Sequence, residues 1–174
     1  VGTCTDGNSA HSWYNGVIGK FNSNLDFDGS DDRVDLGDLS YTENASQLSW
    51  SFWVKPSTVA AAKAFVAKGN SNVTQTSWGS GTTSIDSNEP DCFVSVNTTD
   101  LSTAGYTTTD VLSAGVWKHI TCVFDGTLSG NANRIKMYVD GKLQNLTFSG
   151  TIPSSTQATS SNVVVGASSD NALN

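Results

Sequence analysis

The sequence predicts an all-β fold, two antiparallel sheets packed as a jelly-roll sandwich, and three observations carry that prediction. Apolar residues alternate with polar ones at period two in one segment after another. No stretch sustains the 3.6-residue period of an amphipathic helix. Gly and Asn/Asp clusters punctuate the segments at the short intervals expected of hairpins and loops.

The elements follow in chain order. In "LDFDGSDDRVDLGD", Leu25–Asp28 and Arg33–Leu36 read as two short strands around a turn. "LSWSFWVKP" is the clearest strand: Trp50, Phe52 and Val54 point one way, and Ser49, Ser51, Trp53 and Lys55 the other. "TVAAAKAF" is the one helix candidate, overlapping a strand candidate at Ala64–Ala67. In "DCFVSVN", Cys92, Val94 and Val96 share a face. Tyr106–Val111 follows. In "WKHITCVFDG" Ile120, Cys122 and Phe124 share a face, and in "RIKMYVDG" Ile135, Met137 and Val139 do. The Asp140–Gly141 step predicts a tight hairpin turn, whereas "DGTLSGNAN" is a longer loop. Leu143–Phe148 and Asn162–Val165 complete the set. Ten or more short strands at this spacing specify two packed sheets.

At 174 residues the chain is one domain's worth, long enough to bury a core without staples. A net charge of −7 with nine scattered basic residues argues against nucleic acid, whose phosphates call for clustered Lys and Arg. No apolar run is long enough for a membrane span. The chain begins with Val and carries no basic-then-apolar leader, as expected of a processed product or an excised domain. Residues 1–20 are expected to pack on a sheet edge, and 21–174 to form the sandwich.

Three cysteines leave at least one without an intrachain partner. Cys92 and Cys122 both fall on apolar faces, as small buried hydrophobes or as a disulfide across neighbouring strands. Cys4 is free to pair with either or with another chain. With only His11 and His119 to add, a zinc site is disfavoured.

Five segments in order, "LDFDGSDDRVDLGD", "LSWSFWVKP", "WKHITCVFDG", "RIKMYVDGK" and "NVVVGASSDNALN", carry a resemblance from about Phe21 to the C-terminus. Together they resemble the laminin-G-like domains of the concanavalin A-like lectin/glucanase superfamily, particularly bacterial and phage forms related to pentraxins. The resemblance implies a concanavalin A-like jelly roll that binds glycans or proteins, often with calcium at a loop edge. It also implies a last strand, "G-x-I-D-x-V-x-I", before which this chain stops. The sandwich is therefore expected to lack its usual final strand and to leave an edge where another strand adds. Pentraxins place a carboxylate and an amide where this chain has Ser168 and Ser169, leaving Asp170.

The superfamily's glucanases need two carboxylates about 5–5.5 Å apart on one strand face. This chain has two glutamates, Glu43 and Glu89, far apart in sequence and in loop-like surroundings. Asp26 and Asp28 have the spacing but belong to an edge hairpin. No G-x-S-x-G or H-E-x-x-H is present. Cys4 and His11 sit in a leader that would not position them, and His119 reads as a hydrogen-bonded structural histidine. The chain is read as non-enzymatic, with a glycoside hydrolase relative as the outlying alternative.

Sugar binding uses an aromatic platform and amide or carboxyl hydrogen bonds in a shallow site. The candidates are Trp78 in the Gly-rich "SWGSG" loop, Trp53 opposite Trp50 and Phe52, and Tyr106. The competing reading folds Trp78 over the sandwich rim and covers Trp53 with a loop. Six aspartates crowd Leu25–Asp38. Alternation sends Leu25, Phe27, Val34 and Leu36 inward, leaving Asp26, Asp35 and Asp38 as solvated residues. Only the Asp28–Asp32 turn keeps a claim on a cation: one Ca2+ at the loop edge, held by Asp28 or Asp31 with Asp170 contributing. The expected function is an extracellular, cell-surface or virion lectin-like module for a glycan or a cell-surface protein. The alternative is a structural or assembly domain of a virion appendage, filament or surface layer, working through self-association or strand complementation.

Overall fold

The structure is a computed structural model that describes residues 3–4, 13–29, 32–69, 76–83, 88–95, 104–107 and 109–167. Among these, fourteen strands form three antiparallel sheets. The strands are β1 (Thr3–Cys4), β2 (Trp13–Gly19), β3 (Asn22–Leu25), β4 (Val34–Asp35), β5 (Gln47–Val54), β6 (Ala64–Lys68) and β7 (Trp78–Thr82). After them come β8 (Pro90–Val94), β9 (Ala104–Thr107), β10 (Lys118–Asp125), β11 (Ile135–Val139), β12 (Lys142–Leu143), β13 (Leu146–Ser149) and β14 (Val163–Val165). The large sheet runs β1-β4-β14-β6-β7-β8-β9-β13, the small one β12-β11-β10-β5, and β2-β3 form a separate hairpin. The two-sheet antiparallel sandwich expected from the alternation is the fold.

The register explains the core. Residues directly opposite in an antiparallel ladder project to the same face. In the small sheet the inward rows are Leu48–Phe124–Ile135, Trp50–Cys122–Met137 and Phe52–Ile120–Val139. The large sheet answers with Val165–Val66–Ser80–Cys92 and Val163–Lys68–Trp78–Val94. Aromatic pairs bridge the gap: Trp50 meets Trp78 at 5.2 Å between ring centroids, and Phe52 meets Phe65 at 5.7 Å. Cys92 and Cys122, both fully buried, are joined by a disulfide with Cα atoms 5.9 Å apart. Their strands lie in opposite sheets, so the bond staples the sandwich through its core instead of joining neighbouring strands.

Local structure departs from expectation in three places. No helix forms over Thr58–Phe65; Ala62 takes a left-handed φ of 58°, and the chain enters β6 at Ala64. The long loop after β10 holds one helical turn, α1 (Asn131–Arg134), tied down where Arg134 donates to the carbonyls of Leu128 and Ile152. The strand expected at Leu25–Asp28 is paired earlier, over Asn22–Leu25. The β11–β12 hairpin matches expectation: Asp140 and Gly141 both have positive φ, 52° and 77°, as a two-residue type I′ turn demands.

Candidate functional site

The outward face of the small sheet carries the candidate site. Period two turns Trp53 away from the core, opposite His119 in the ladder, with their rings 5.0 Å apart. The β2–β3 hairpin lays its tip over the same spot. Gly19 is needed there, since a Cβ would meet the Ser23 carbonyl at 2.2 Å. The turn delivers Phe21 edge-on to Trp53 at 5.6 Å and Lys20 Nζ 4.9 Å from the Trp53 ring centroid. Phe21 is 72% and Trp53 37% exposed, so apolar ring area faces solvent here. Beside this aromatic row runs a hydroxyl row, Ser51–Thr121–Tyr138, set by the same register.

Charge at this end is local and mixed. Asp140 accepts the His119 backbone N–H at 3.0 Å and the Lys118 ammonium at 2.8 Å. The His119 N–H foremost, then Lys118, with Lys20 adding at longer range, hold its carboxyl below the usual range. Trp53 thus lies in an aromatic shelf bounded by hydroxyls, with two lysines and one aspartate at its edge.

The three sugar-platform candidates do not converge. Trp78 is 5% exposed on an inward row, packs on Trp50, and donates its Nε1–H to Thr42 Oγ1 at 3.1 Å. Its ring has no open face for a ligand, for a physical reason: the core it joins is supplied by β5, not by its Ser- and Gly-rich neighbours. Tyr106, half-buried, belongs to the outward row Gly81–Asp91–Tyr106–Thr147 of the large sheet. Trp53, Trp78 and Tyr106 therefore sit on one outer face, in the interior, and on the opposite outer face.

Beside Tyr106, burial pushes the Asp91 carboxyl up to about 6, although the Gly81 N–H at 2.8 Å favours its ionised form. A raised folded-state value means the native protein holds this proton more tightly, so the contribution of Asp91 to stability declines from about pH 4 to 6 and is flat above. Asp91→Asn is expected to flatten that decline and raise stability at pH 7.5 by on the order of 1–2 kcal/mol. Urea midpoints at pH 4.5 and 7.5 measure it, and identical wild-type and variant midpoints at pH 7.5 would refute it.

Of the metal candidates, Asp28 is exposed, and its backbone N–H donates to Asp32 Oδ2 at 3.1 Å, so Asp32 braces the turn. Asp31 and Asp170 lie outside the described residues. Among the described residues no three His, Cys, Asp or Glu side chains gather as a metal site. Asp35 accepts the Gly37 N–H and the Asn162 side-chain amide, and so ties β4 to the approach of β14.

Asp38 is solvent-exposed, as expected, but its carboxylate is also paired. It binds the ammonium of Lys68, a fully buried lysine on the Val163–Lys68–Trp78–Val94 row, at 2.5 Å. Glu43 lies 3.1 Å from the same nitrogen. The Lys68 hydrogen bond above all holds Asp38 below the usual carboxylate range. Sequence reasoning missed this cluster. The signal was there: Lys68 follows Val66 by two residues, on the apolar parity of a strand.

The family match agrees with this architecture. A laminin-G family model, described as concanavalin A-like lectin/glucanases superfamily, matches residues 28–174. No curated protein matches the chain. Among solved structures, an HCR/D mutant aligns with a TM-score of 0.50 and 14% identity over 78% of this chain and 32% of its own. A native heptameric SAP-like pentraxin from Limulus polyphemus aligns at 0.44 and 14%, over 81% of this chain and 66% of its own. The botulinum neurotoxin type G receptor binding domain aligns at 0.40 and 13%, over 90% and 41%. The chain thus spans only about a third of the first of these proteins. With the family model covering most of the sequence and the sandwich it implies in place, the chain belongs to the concanavalin A-like lectin/glucanases superfamily.

Proposed function

We propose that the chain is a non-catalytic, extracellular lectin-like module that binds a glycan on the Trp53 shelf. The supporting observation is the juxtaposition of exposed rings, Trp53 and Phe21, with the Ser51–Thr121–Tyr138 hydroxyl row. A pyranose stacks its C–H face on such rings and directs its hydroxyls to the neighbouring row. The core disulfide fits an oxidising compartment. No helix among the described residues is long and apolar enough to cross a membrane. Glu43 is engaged by Lys68 instead of being aligned with a second carboxylate on a strand face, which favours binding over hydrolysis. Trp53→Ala should leave the melting temperature near that of the wild type, because the ring lies outside the core. It should weaken glycan binding about tenfold or more, ~1.4 kcal/mol. An array-selected glycan titrated into both proteins tests this, and undiminished binding by the variant would reject the shelf.

A second reading rests on a separate observation. Among the described residues β5 ends the small sheet, and its other edge pairs with no strand. Eight residues of edge offer a template for strand addition and so for assembly. Concentration-dependent self-association in sedimentation, with no glycan bound on an array, would favour that reading over the lectin.

A further inference from the structure

Lys68 is fully buried, and its Nζ touches two carboxyl groups, Asp38 Oδ1 at 2.5 Å and Glu43 Oε1 at 3.1 Å. The backbone carbonyls of Asp38 and Ser161 accept from the same nitrogen. Glu43 reaches both partners, since its carboxyl, when it carries the proton, donates to the Asp38 carboxylate. A buried amine, a carboxyl group against it and a second carboxyl touching both are the parts of an amide-forming reaction. We infer that Lys68 and Asp38 join as an intramolecular amide cross-link, with Glu43 moving the protons.

The fold holds the reacting groups in place. Thr42 fixes the 38–43 segment: its hydroxyl donates to the Leu39 carbonyl at 2.9 Å and accepts the Trp78 indole. Its carbonyl accepts Thr156 Oγ1 at 2.6 Å. Paired backbone bonds, Leu36 N–H to the Val163 carbonyl and Val163 N–H to the Gly37 carbonyl, lock 161–163 against 36–38. On the other side, β7 and β14 hold β6, and Lys68 with it. Groups kept in contact react as if at very high concentration, which is what an amine and a carboxyl need to condense in water. The driving force is local: an ion pair with one fully buried member carries a desolvation cost that a neutral amide does not. The step balances with these three side chains alone. A proton passes from the Lys68 ammonium to Asp38 through Glu43, and the amine lone pair attacks Asp38 Cγ to form the C–N bond. Glu43 carries a second nitrogen proton to the departing hydroxyl oxygen as the C–O bond breaks. One water leaves through the open side of Asp38, whose side chain is 49% exposed. The ammonium and carboxylate charges cancel, and Glu43 is regenerated. The sandwich gains a second covalent staple, one that reductant does not open.

Intact-mass spectrometry of the denatured chain reads the cross-link directly. The wild type should be lighter than its disulfide-bonded sequence by one water, about 18 Da. Lys68→Met and Asp38→Ala should each keep the full mass of their own sequences. Glu43→Gln, which preserves the shape of the side chain, should fold with the wild-type circular dichroism spectrum and still stay unlinked. In a tryptic digest of the reduced wild type, cleavage after Lys68 should be lost, and Lys68 should appear joined to the peptide that holds Asp38. A wild-type mass equal to that of the disulfide-bonded sequence, a water loss that maps to other residues, or one that persists in Lys68→Met or Glu43→Gln would each overturn the inference.

Discussion

Replacing Cys92 and Cys122 together by serine is expected to cost the fold about 3–4 kcal/mol, enough to leave a domain of this size marginal at 37 °C. The bond closes a loop with a sequence separation of 30, and that length sets the estimate through the entropy of the unfolded chain. Both sulfurs are fully buried between the sheets, so serine would also place hydroxyls among Trp50, Val94 and Met137 with little to bond to. Cys92→Ala with Cys122→Ala should therefore be the milder pair. Equilibrium urea unfolding separates the effects. The wild type denatured and refolded with reductant should match the alanine pair, with a midpoint well below that of the oxidised protein. A midpoint unmoved by reductant across the whole transition would show that the bond contributes nothing.

That staple marks the boundary of what was legible in the sequence. Alternation within a strand is a local property, so Trp50, Phe52 and Val54 could be assigned inward, and Ile120, Cys122, Phe124, Ile135, Met137 and Val139 with them. All of these line the core or pack against it. The Asp140–Gly141 turn was legible because positive φ at two successive positions is a local demand. Whether two inward cysteines meet depends on how the sheets stack, and no single strand encodes that. The same holds for the partner of Asp38: alternation marks the residue as solvated, which it is, but does not reveal that Lys68, thirty residues away, pairs with it. The alanine run at 60–62 has helical propensity, yet its neighbours close a sandwich, and tertiary pairing of β6 with β7 and β14 prevails. The Trp53 shelf was half legible: the outward turn of Trp53 followed from period two, but Phe21 and Lys20 arrive on a hairpin whose placement is tertiary.

Trp78→Ala should be among the most destabilising single truncations of the described residues, at about 3–5 kcal/mol. The side chain is almost wholly buried and contacts Trp50 across the sandwich. Its indole N–H also anchors Thr42, which in turn holds Leu39 and Thr156. Truncation opens a cavity at the centre of the core and frees the 39–42 turn at once, so the loss exceeds that of the ring alone. Trp78→Phe separates the two contributions: it keeps most of the packing and loses the hydrogen bond, at about 1 kcal/mol for the bond. Thr42→Val should cost a similar amount, and the double variant less than the sum, because both remove the same bond. Thermal melts of the four proteins give the ranking. They also decide what a lost glycan signal at position 78 means. If Trp78 acts only through the core, the fraction of Trp78→Ala that remains folded binds as tightly as wild type, whereas Trp53→Ala stays folded and binds poorly. A Trp78→Ala protein with the wild-type melting temperature and no glycan binding would reverse that assignment and make Trp78 the platform.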